Sequence, residues 1–272
     1  MVSSVNTNVN ALAAVQALSD ISHSLTDTQA HIQSGLKVNT ASDNPAVFTI
    51  AQGIRANIGA LGAVTDSLST GTATLQGQTA GATSISNALT TLVRTVTQSA
   101  GQTGDALAAS QATITNALAN IDAFAAATTI NGVNLLATAG SVNVLSNVNG
   151  SSTTVSTSVA STSAGLSLST LATTADGTAA GTTTAITAVN AAIATIGRTL
   201  TALGAGTVQL QGLSDFTAKL STSNQTSLGA IVDANLSEES AKLSSLQTKQ
   251  SLAIQSLSIA NQGPGALLQL FR

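Results

Sequence analysis

Apolar residues recur along this chain at alternating steps of three and four over most of its length. Such a heptad spacing is typical of a helix that packs against another helix along one seam. In the first segment the seam positions are Ala11, Ala14, Leu18, Ile21, Leu25, Thr28 and Ile32. The pattern predicts a first helix that stops near Gly35, because glycine readily adopts the backbone conformation that ends a helix.

The longest regular run follows Pro45. Its row of positions seven apart consists of Ile54, Leu61, Leu68, Leu75, Ala82, Leu89 and Val96, and Ile58 and Val93 belong to a companion row. Asp43 and Asn44 are good helix N-cap residues, and proline suits the first helical position. The run therefore predicts a helix over about 45–100. Its six glycines lower helix propensity by roughly 5–6 kcal/mol relative to alanine, so we expect it to need neighbours along its length.

Three further seams predict helices over about 107–125, 186–210 and 236–260, the last of them stopping at residues 263–265, which read Gly-Pro-Gly. Between the helices predicted over 107–125 and 186–210 the pattern changes. Asn131-Gly132 and Asn149-Gly150 are turn signals, and the residues between about 140 and 159 read as short strands. Residues 161–182 are mostly Ser, Thr, Ala and Gly, which predicts a flexible surface segment rather than core.

The predicted fold is mainly α: an elongated antiparallel coiled-coil or helical-bundle rod with a small β-hairpin region at the chain midpoint. The two terminal seams can meet only if the chain folds back at its middle. A thin rod leaves apolar residues of both seams exposed, and burying one Leu or Ile is worth about 1.5–3 kcal/mol. The layout therefore favours a structural subunit that associates with its own copies.

Charge and aromatic content exclude several classes of function. Only 7% of the 272 residues are charged and 1% are aromatic, with a formal net charge of −3, whereas about 25% of the residues of an ordinary soluble domain are charged. The chain lacks both the basic surface and the stacking side chains that nucleic acid binding requires. The chain has no Cys, which excludes disulfides and thiolate chemistry. We expect no enzymatic activity and no cofactor.

His23, Asp27 and His31 recur at four-residue steps, a spacing that raises the question of a metal site. All three fall off the apolar seam, and the two imidazoles are about 12 Å apart along a helix axis, too far to share an ion at about 2.1 Å. We therefore expect a solvated face and no metal. The apolar stretch 185–206 is interrupted by Asn190 and Arg198, so we expect no membrane insertion.

Four ordered segments resemble bacterial flagellins. Residues 31–46, which read His-Ile-Gln-Ser-Gly-Leu-Lys-Val-Asn-Thr-Ala-Ser-Asp-Asn-Pro-Ala, are similar to the signature that follows the first helix of that family. Residues 5–8 and 129–136 resemble its opening and the end of its second helix, and residues 256–272 resemble its C-terminus. Asn44-Pro45 departs from the usual family residues, although both still suit a helix start.

The resemblance implies a short flagellin without large outer domains. Residues 1–34 and 245–272 correspond to the paired helices of the inner tube (D0), residues 35–44 to a linking spoke, and residues 45–244 to domain D1 with hairpins at about 131–160. The Ser- and Thr-rich stretch 151–184 is either merely flexible or O-glycosylated, as in some flagellins. The implied function is a subunit that polymerises through its terminal helices into the extracellular flagellar filament used for swimming.

The resemblance and the seams together select candidate residues. Self-assembly is assigned to residues of the terminal helices: Leu12, Leu18, Ile21, Leu25, Ile32, Leu243, Leu246, Leu257, Leu267, Leu268, Leu270 and Phe271. The spoke motif consists of Gly35, Leu36, Lys37, Val38, Asn39, Asp43, Asn44 and Pro45. The implied partners are other copies of the chain, hook–filament junction proteins, the filament cap, an export chaperone and the flagellar export apparatus.

Export is expected to proceed without a cleaved Sec signal peptide, because Asn6, Asn8 and Asn10 occupy positions where such a signal has its apolar core. Two other classes share parts of the pattern. An adhesin or surface-layer protein has a similar composition, but normally shows β-repeats or an anchor. A hook–filament junction protein shares the terminal helices, but is expected to match the spoke signature less well.

Overall fold

The computed structural model of the protein describes residues 8–157 and 160–270, with side chains as far as residue 262. This part of the chain forms six helices and one two-stranded sheet. The helices are α1 (Val9–Ser34), α2 (Pro45–Gln98), α3 (Gly104–Ala127), α4 (Leu171–Thr174), α5 (Ala179–Val232) and α6 (Leu236–Leu270), and the strands are β1 (Gly140–Leu145) and β2 (Ser152–Thr157). The prediction of a mainly α fold with a small β region near the midpoint is confirmed.

The predicted helix boundaries near residues 35 and 45 are confirmed. The Asn8 side chain accepts a hydrogen bond from the backbone N–H of Ala11 at the start of α1. Gly35 ends that helix in the left-handed conformation, with φ at 72°. Pro45 is the first residue of α2, and the side-chain oxygen of Asn44 accepts from the backbone N–H of Val47.

The heptad row of α2 forms the central stripe of a hydrophobic core. From Leu61 to Val96, every member of the row is buried, whereas Ile54 is half-buried. Helix α5 contributes Val189, Ile196, Leu203 and Leu210, and α3 contributes Ile114, Leu118, Ile121 and Ala125. The expectation that the helix over about 45–100 needs neighbours along its length agrees with this packing.

The two strands form an antiparallel hairpin in which Val142 pairs with Val155 and Gly140 pairs with Thr157. Val142, Val144 and Val155 are buried in the core. On the outer face the Thr154 hydroxyl donates to the Asn143 side-chain oxygen over 2.6 Å. The alternation of apolar and polar residues therefore fixes which face of the hairpin packs on the helices.

Two helical glycines make room for this hairpin. A β-carbon at Gly71 of α2 would lie 2.5 Å from a methyl carbon of Val144, and one at Gly206 of α5 would lie 2.5 Å from a methyl carbon of Val155. By contrast, nothing lies within 4 Å of a β-carbon built at Gly62. Gly71, one of the six glycines that weaken the isolated helix α2, thus lies where strand β1 approaches that helix closely.

The interpretation of residues 161–182 as surface rather than core is wrong. Leu166, Leu168 and Leu171 are buried, and they belong to the main hydrophobic cluster. The segment is also anchored by polar contacts, since the Asp122 carboxylate of α3 accepts from the backbone N–H and the hydroxyl of Ser163 at 2.7 and 2.8 Å. Its leucines follow no helical period, so periodicity could not assign them to the core.

Two helices extend beyond their predicted limits. Helix α5 covers Ala179–Val232, and α6 continues to Leu270 across the Gly-Pro-Gly sequence at which a stop was predicted. A proline inside a helix removes one hydrogen bond and costs about 3 kcal/mol, which does not by itself prevent the helix from resuming on the far side. The predicted stop at residues 263–265 is therefore wrong.

The chain divides into two compact units. The first comprises residues 1–57 and 223–272, and the second comprises residues 58–222. This division falls inside α2 and α5, whereas the sequence predicted divisions next to residues 44 and 245. The predicted limits refer to roles in an assembly rather than to packing within one chain, and they stay a prediction.

By length and composition alone, α2 and α5 could each cross a membrane. Each has a window of 18 residues with a mean hydropathy of 1.2 and 1.3, respectively, and 17% and 28% of those windows are buried. One or two such helices are a weak indication, because core helices of soluble proteins pass the same test. Both of these helices place a heptad row in the core of the second unit.

Candidate assembly surface

Helices α1 and α6 pair side by side in the first unit, and they run in opposite directions. The side-chain amide of Asn8 donates to the backbone carbonyl of Ala260 over 2.7 Å. Near the other end of the pair, the imidazole Nδ1 of His31 lies 3.4 Å from the carboxylate Oε1 of Glu239. The start of α1 therefore lies beside the later part of α6, as the predicted fold-back requires.

The predicted seam residues lie between the two helices rather than on an open face. Thr28 and Leu246 are buried. The other seam side chains that were assigned to self-assembly are half-buried: Leu18, Ile21, Leu25, Ile32, Leu243 and Leu257. Pairing within one chain thus covers part of the apolar surface of both seams. A role of these residues in contacts between copies stays a prediction.

A second set of apolar side chains lies outside the seams and remains exposed. The six residues have exposed fractions between 49% and 71%, and they are Val9, Leu12, Val15, Leu252, Ile254 and Ile259. We call this set the terminal apolar face; its members point to more than one side of the helix pair, since Leu252 and Ile254 are two positions apart on α6. Because Asn8 contacts Ala260, both of its segments lie at the same end of the helix pair. Of these six residues, only Leu12 was among those that the sequence predicts to take part in self-assembly.

No ionisable side chain occurs near the terminal apolar face in the sequence. None is found from Asn8 to Ser19, nor from Gln250 to Leu270. The omission of five of the six residues from the sequence prediction has a simple cause, since the heptad rule selects the contact row between two helices and ignores apolar residues beside it. The signal that could have found them is this pair of charge-free stretches.

The side chains of Leu267, Leu268 and Leu270 are outside the described part of the structure, although the backbone there belongs to α6. Phe271 lies outside the described residues altogether. Their assignment to self-assembly stays a prediction.

His31 is not on a solvated face, so the prediction is wrong for this residue. Its side chain is four-fifths covered and faces Glu239, whose carboxylate also lies 3.9 Å from the Lys242 ammonium. His23 and Asp27 are exposed, as predicted. Among the described residues, no group of three or more His, Cys, Asp or Glu side chains is placed to hold a metal ion.

The spoke motif is bonded to the connection between α5 and α6. The backbone N–H groups of Lys37 and Val38 donate to the carbonyl of Val232 at 2.8 and 3.4 Å. The backbone N–H of Ala234 donates to the carbonyl of Gly35 over 2.8 Å. Leu36 forms a bridge with Asp233, and the Val38 side chain is buried. The sequence signature identified one of these two segments and could not show that they pair.

Asp43 organises the remainder of the spoke. Its carboxylate accepts hydrogen bonds from the backbone N–H groups of Asn39 and Thr40, both at 2.8 Å. These bonds, that from Thr40 first, hold the pKa of the Asp43 carboxyl below its ordinary value of 3.8. Asp43 therefore stabilises the turn that leads into α2, while Asn44 caps the helix itself.

Comparison with known proteins gives a consistent result along the chain. Residues 5–141 match the N-terminal helical region of bacterial flagellins, and residues 186–271 match the C-terminal helical region. Flagellin FljM of Caulobacter vibrioides is 36% identical over 272 residues, covering 99% of this chain and 98% of its own length. Flagellin FljK of the same organism is 34% identical with the same coverage. A flagellin of Brucella melitensis is 29% identical over 285 residues and 99% of both chains.

Proposed function

The chain belongs to the bacterial flagellin family, and from that premise we propose that the terminal apolar face is the surface through which copies of it polymerise. As a flagellin, the protein is a structural subunit of the flagellar filament. It self-assembles into that filament outside the cell, serves motility, and is not an enzyme. The proposal concerns which part of the chain carries the assembly.

The observation that carries the proposal is the exposure of six large apolar side chains at one end of the α1–α6 pair. About half to two thirds of each side chain is still available for burial, so each is worth about 1 kcal/mol on association. Together they supply roughly 6 kcal/mol per copy. Since association costs on the order of 4–15 kcal/mol, one such contact is marginal, and several neighbours are needed. A subunit of this kind adds to an existing filament end more readily than it forms a new filament.

The lack of charge supports the same surface. The terminal apolar face lies in stretches of sequence without ionisable side chains, so copies that approach along it experience little like-charge repulsion. The contact also leaves no charged group to be buried without a partner.

The domain roles are proposed on the family resemblance. Residues 1–34 with 245–272 form the inner-tube pair, residues 35–44 form the spoke, and residues 45–244 correspond to D1. The pairing of α1 with α6 and the bonded spoke support this assignment. The predicted assembly role of Leu267, Leu268, Leu270 and Phe271 is retained in it.

We also propose, on the family resemblance, that the chain leaves the cell through the flagellar export apparatus rather than by a cleaved Sec signal. It would meet an export chaperone, the filament cap and hook–filament junction proteins on that route. A strain that lacks a functional flagellar export gate is expected to retain the protein inside the cell. Secretion from such a strain at the normal rate would contradict this route.

The assembly surface is tested by a double variant, Leu12→Ser with Ile259→Ser, which removes apolar area from both helices of the face. We expect the growth rate on filament seeds, followed by light scattering, to fall at least about tenfold, because each lost side chain removes about 1 kcal/mol at every contact. The matched control is Gln29→Ser with Gln247→Ser, which changes two exposed residues of the same helices without removing apolar side chains.

Circular dichroism of the unassembled variants distinguishes lost assembly from lost folding, since both double variants should keep the helix content of the unaltered protein. Growth of the Leu12→Ser/Ile259→Ser protein at the control rate would overturn the assignment of the surface. Family membership would be unaffected by that result, because it does not depend on these two residues.

A further inference from the structure

Two Asn-Gly pairs lie in the second unit, and both form turns. Asn131-Gly132 closes a tight turn, and Asn149-Gly150 lies in the loop that joins β1 to β2. All four residues are exposed. The two sites therefore have the same local chemistry and similar access to water, but they differ in what holds the backbone in place.

Asn-Gly pairs can lose ammonia by an intramolecular reaction. The backbone nitrogen of the glycine attacks the side-chain carbonyl carbon of the asparagine, and its proton passes to solvent base. The carbon–nitrogen bond of the side-chain amide breaks, its nitrogen takes a proton from the solvent and leaves as ammonia, and a five-membered succinimide remains. Water then opens this ring at either carbonyl to give aspartate or isoaspartate. Glycine favours the attack because it has no side chain beside the nitrogen, and no oxidant or further reactant is required.

The reaction requires the peptide between the two residues to rotate out of its turn geometry. At Asn131 this rotation is opposed from both sides of the turn. Ile130 and Val133 exchange two backbone hydrogen bonds, of 3.0 and 2.9 Å. The buried side-chain amide of Gln78 donates to the carbonyl of Val133 over 3.1 Å, and the Ile130 side chain lies directly over Gly77 of α2. Opening this turn would disturb buried contacts on a core helix.

At Asn149 far less is disturbed. Within the loop, the backbone N–H of Gly150 donates to the carbonyl of Asn147 over 3.1 Å, and the Asn149 N–H makes a longer contact of 3.4 Å with the Asn147 side chain. The four residues from Asn147 to Gly150 are all exposed. The Ser146 N–H and hydroxyl both donate to the carbonyl of Ser151, at 2.9 and 3.1 Å, where the loop closes. Local opening there separates no buried side chain, so its free energy is low compared with that of the Asn131 turn.

We propose that Asn149 is a site of spontaneous deamidation and that Asn131, with the same following residue, is protected by its packing on α2. The product at position 149 adds one negative charge to a chain whose formal net charge is −3. When the product is isoaspartate, it also lengthens the backbone of the hairpin loop by one carbon. The modification therefore changes both the charge and the shape of the exposed end of the hairpin as the protein ages.

The test is prolonged incubation of the purified full chain at mildly alkaline pH, followed by peptide mass spectrometry that distinguishes asparagine, aspartate and isoaspartate. We expect conversion at Asn149 to exceed that at Asn131 by roughly tenfold or more, because the rate follows the population of the open turn. Incubation in strong denaturant removes the structural protection and should bring the two rates close together.

The inference would be overturned if Asn131 in the folded protein were converted as fast as Asn149 or faster. An Asn149→Gln variant serves as the assignment control: its longer side chain disfavours ring closure, so product from this peptide should disappear while the signal at Asn131 is unchanged. Neither readout depends on filament assembly.

Discussion

Gly71 and Gly62 lie on the same helix, but their surroundings are opposite. A methyl group added at Gly71 would lie 2.5 Å from a side-chain carbon of Val144 and 3.2 Å from one of Leu210. One added at Gly62 would meet nothing within 4 Å. From the sequence alone, both glycines are expected to lower helix propensity equally. The close approach of a strand that is distant in sequence cannot be recognised from the residues around either glycine.

We therefore expect opposite effects of the same substitution. Gly62→Ala should raise the free energy of unfolding by about 1 kcal/mol through helix propensity. Gly71→Ala should lower it by up to about 2 kcal/mol, since the overpacking cost of about 1–3 kcal/mol exceeds that gain. Urea denaturation of the unassembled protein measures both. Equal stabilisation by the two substitutions would show that the hairpin does not approach α2 at Gly71.

Asp43 makes the stability of the spoke turn depend on pH. Because its pKa is lowered in the folded protein, the carboxylate stabilises the turn at pH values above its ordinary value of 3.8, and this contribution is lost as the pH falls through the lowered folded-state pKa. Protection of the Thr40 amide against hydrogen exchange should be reduced in Asp43→Asn at neutral pH, because a neutral acceptor binds more weakly. The ratio between variant and unaltered protein should approach one in acid.

An Asp27→Asn variant is the control for the Asp43 experiment, since Asp27 is an exposed carboxylate in the same unit. It should leave the Thr40 amide unaffected at every pH. A pH-independent difference between Asp43→Asn and the unaltered protein would contradict the role given to the charge.

At the scale of elements, one glutamine joins helix α2 to the segment that follows α3. Gln78 is fully buried. Its amide nitrogen donates to the carbonyls of Thr128 and Val133, and its oxygen accepts from the backbone N–H of Leu135 at 3.1 Å. A single side chain thus bonds three backbone groups of an irregular segment, in which the Val133 carbonyl also accepts from the Ile130 N–H.

Gln78→Leu should lower the free energy of unfolding by about 2–4 kcal/mol, because it removes the partner of the Thr128 carbonyl and of the Leu135 N–H and one of the two partners of the Val133 carbonyl. Gln76 is exposed on the same helix, and Gln76→Leu should change stability by less than about 0.5 kcal/mol. Thermal or urea unfolding of the two variants provides the comparison. A loss below about 1 kcal/mol for Gln78→Leu would mean that the segment finds other partners.

Elements with a clear period were predictable, and those held by single long-range contacts were not. The burial of the row from Leu61 to Val96 is predicted directly by its seven-residue spacing, and the turn at Asn131-Gly132 is predicted by the Asn-Gly pair itself. Leu166, Leu168 and Leu171 have no regular spacing, and they are buried in a segment that Ser163 anchors to Asp122 of α3. The pairing of the spoke with residues 232–234 is likewise a property of two segments far apart in sequence.

For the whole molecule, sparse charge and long apolar rows together describe a subunit that packs against copies of itself. Sequence predicted the pairing of the chain ends, but it identified the seams inside the α1–α6 pair rather than most of the terminal apolar face. The distinction required the structure, because both sets of residues are apolar and adjacent in sequence. Which apolar side chains are buried within one chain, and which stay exposed for contact with a neighbouring copy, depends on how α1 and α6 face each other.

Filaments of this protein should respond weakly to moderate changes of salt concentration. Screening shortens the range of charge interactions to about 8–10 Å at physiological ionic strength, and the terminal apolar face has no ionisable neighbours in sequence. Filament length measured by electron microscopy should therefore be similar at low and at physiological salt concentration. Dissolution at low ionic strength would contradict an apolar contact and indicate that bound ions or charge pairs hold the copies together.

The most direct test of the proposed assembly surface compares hydrogen exchange in the unassembled protein and in seeded filaments, peptide by peptide. Peptides covering residues 9–15 and 252–259 should be strongly protected on assembly, beyond any change in peptides of the core helix α2 around residues 68–89. Equal exchange of the terminal peptides in both states, in filaments verified by microscopy, would contradict the central claim that the exposed apolar face of the α1–α6 pair joins one copy to the next.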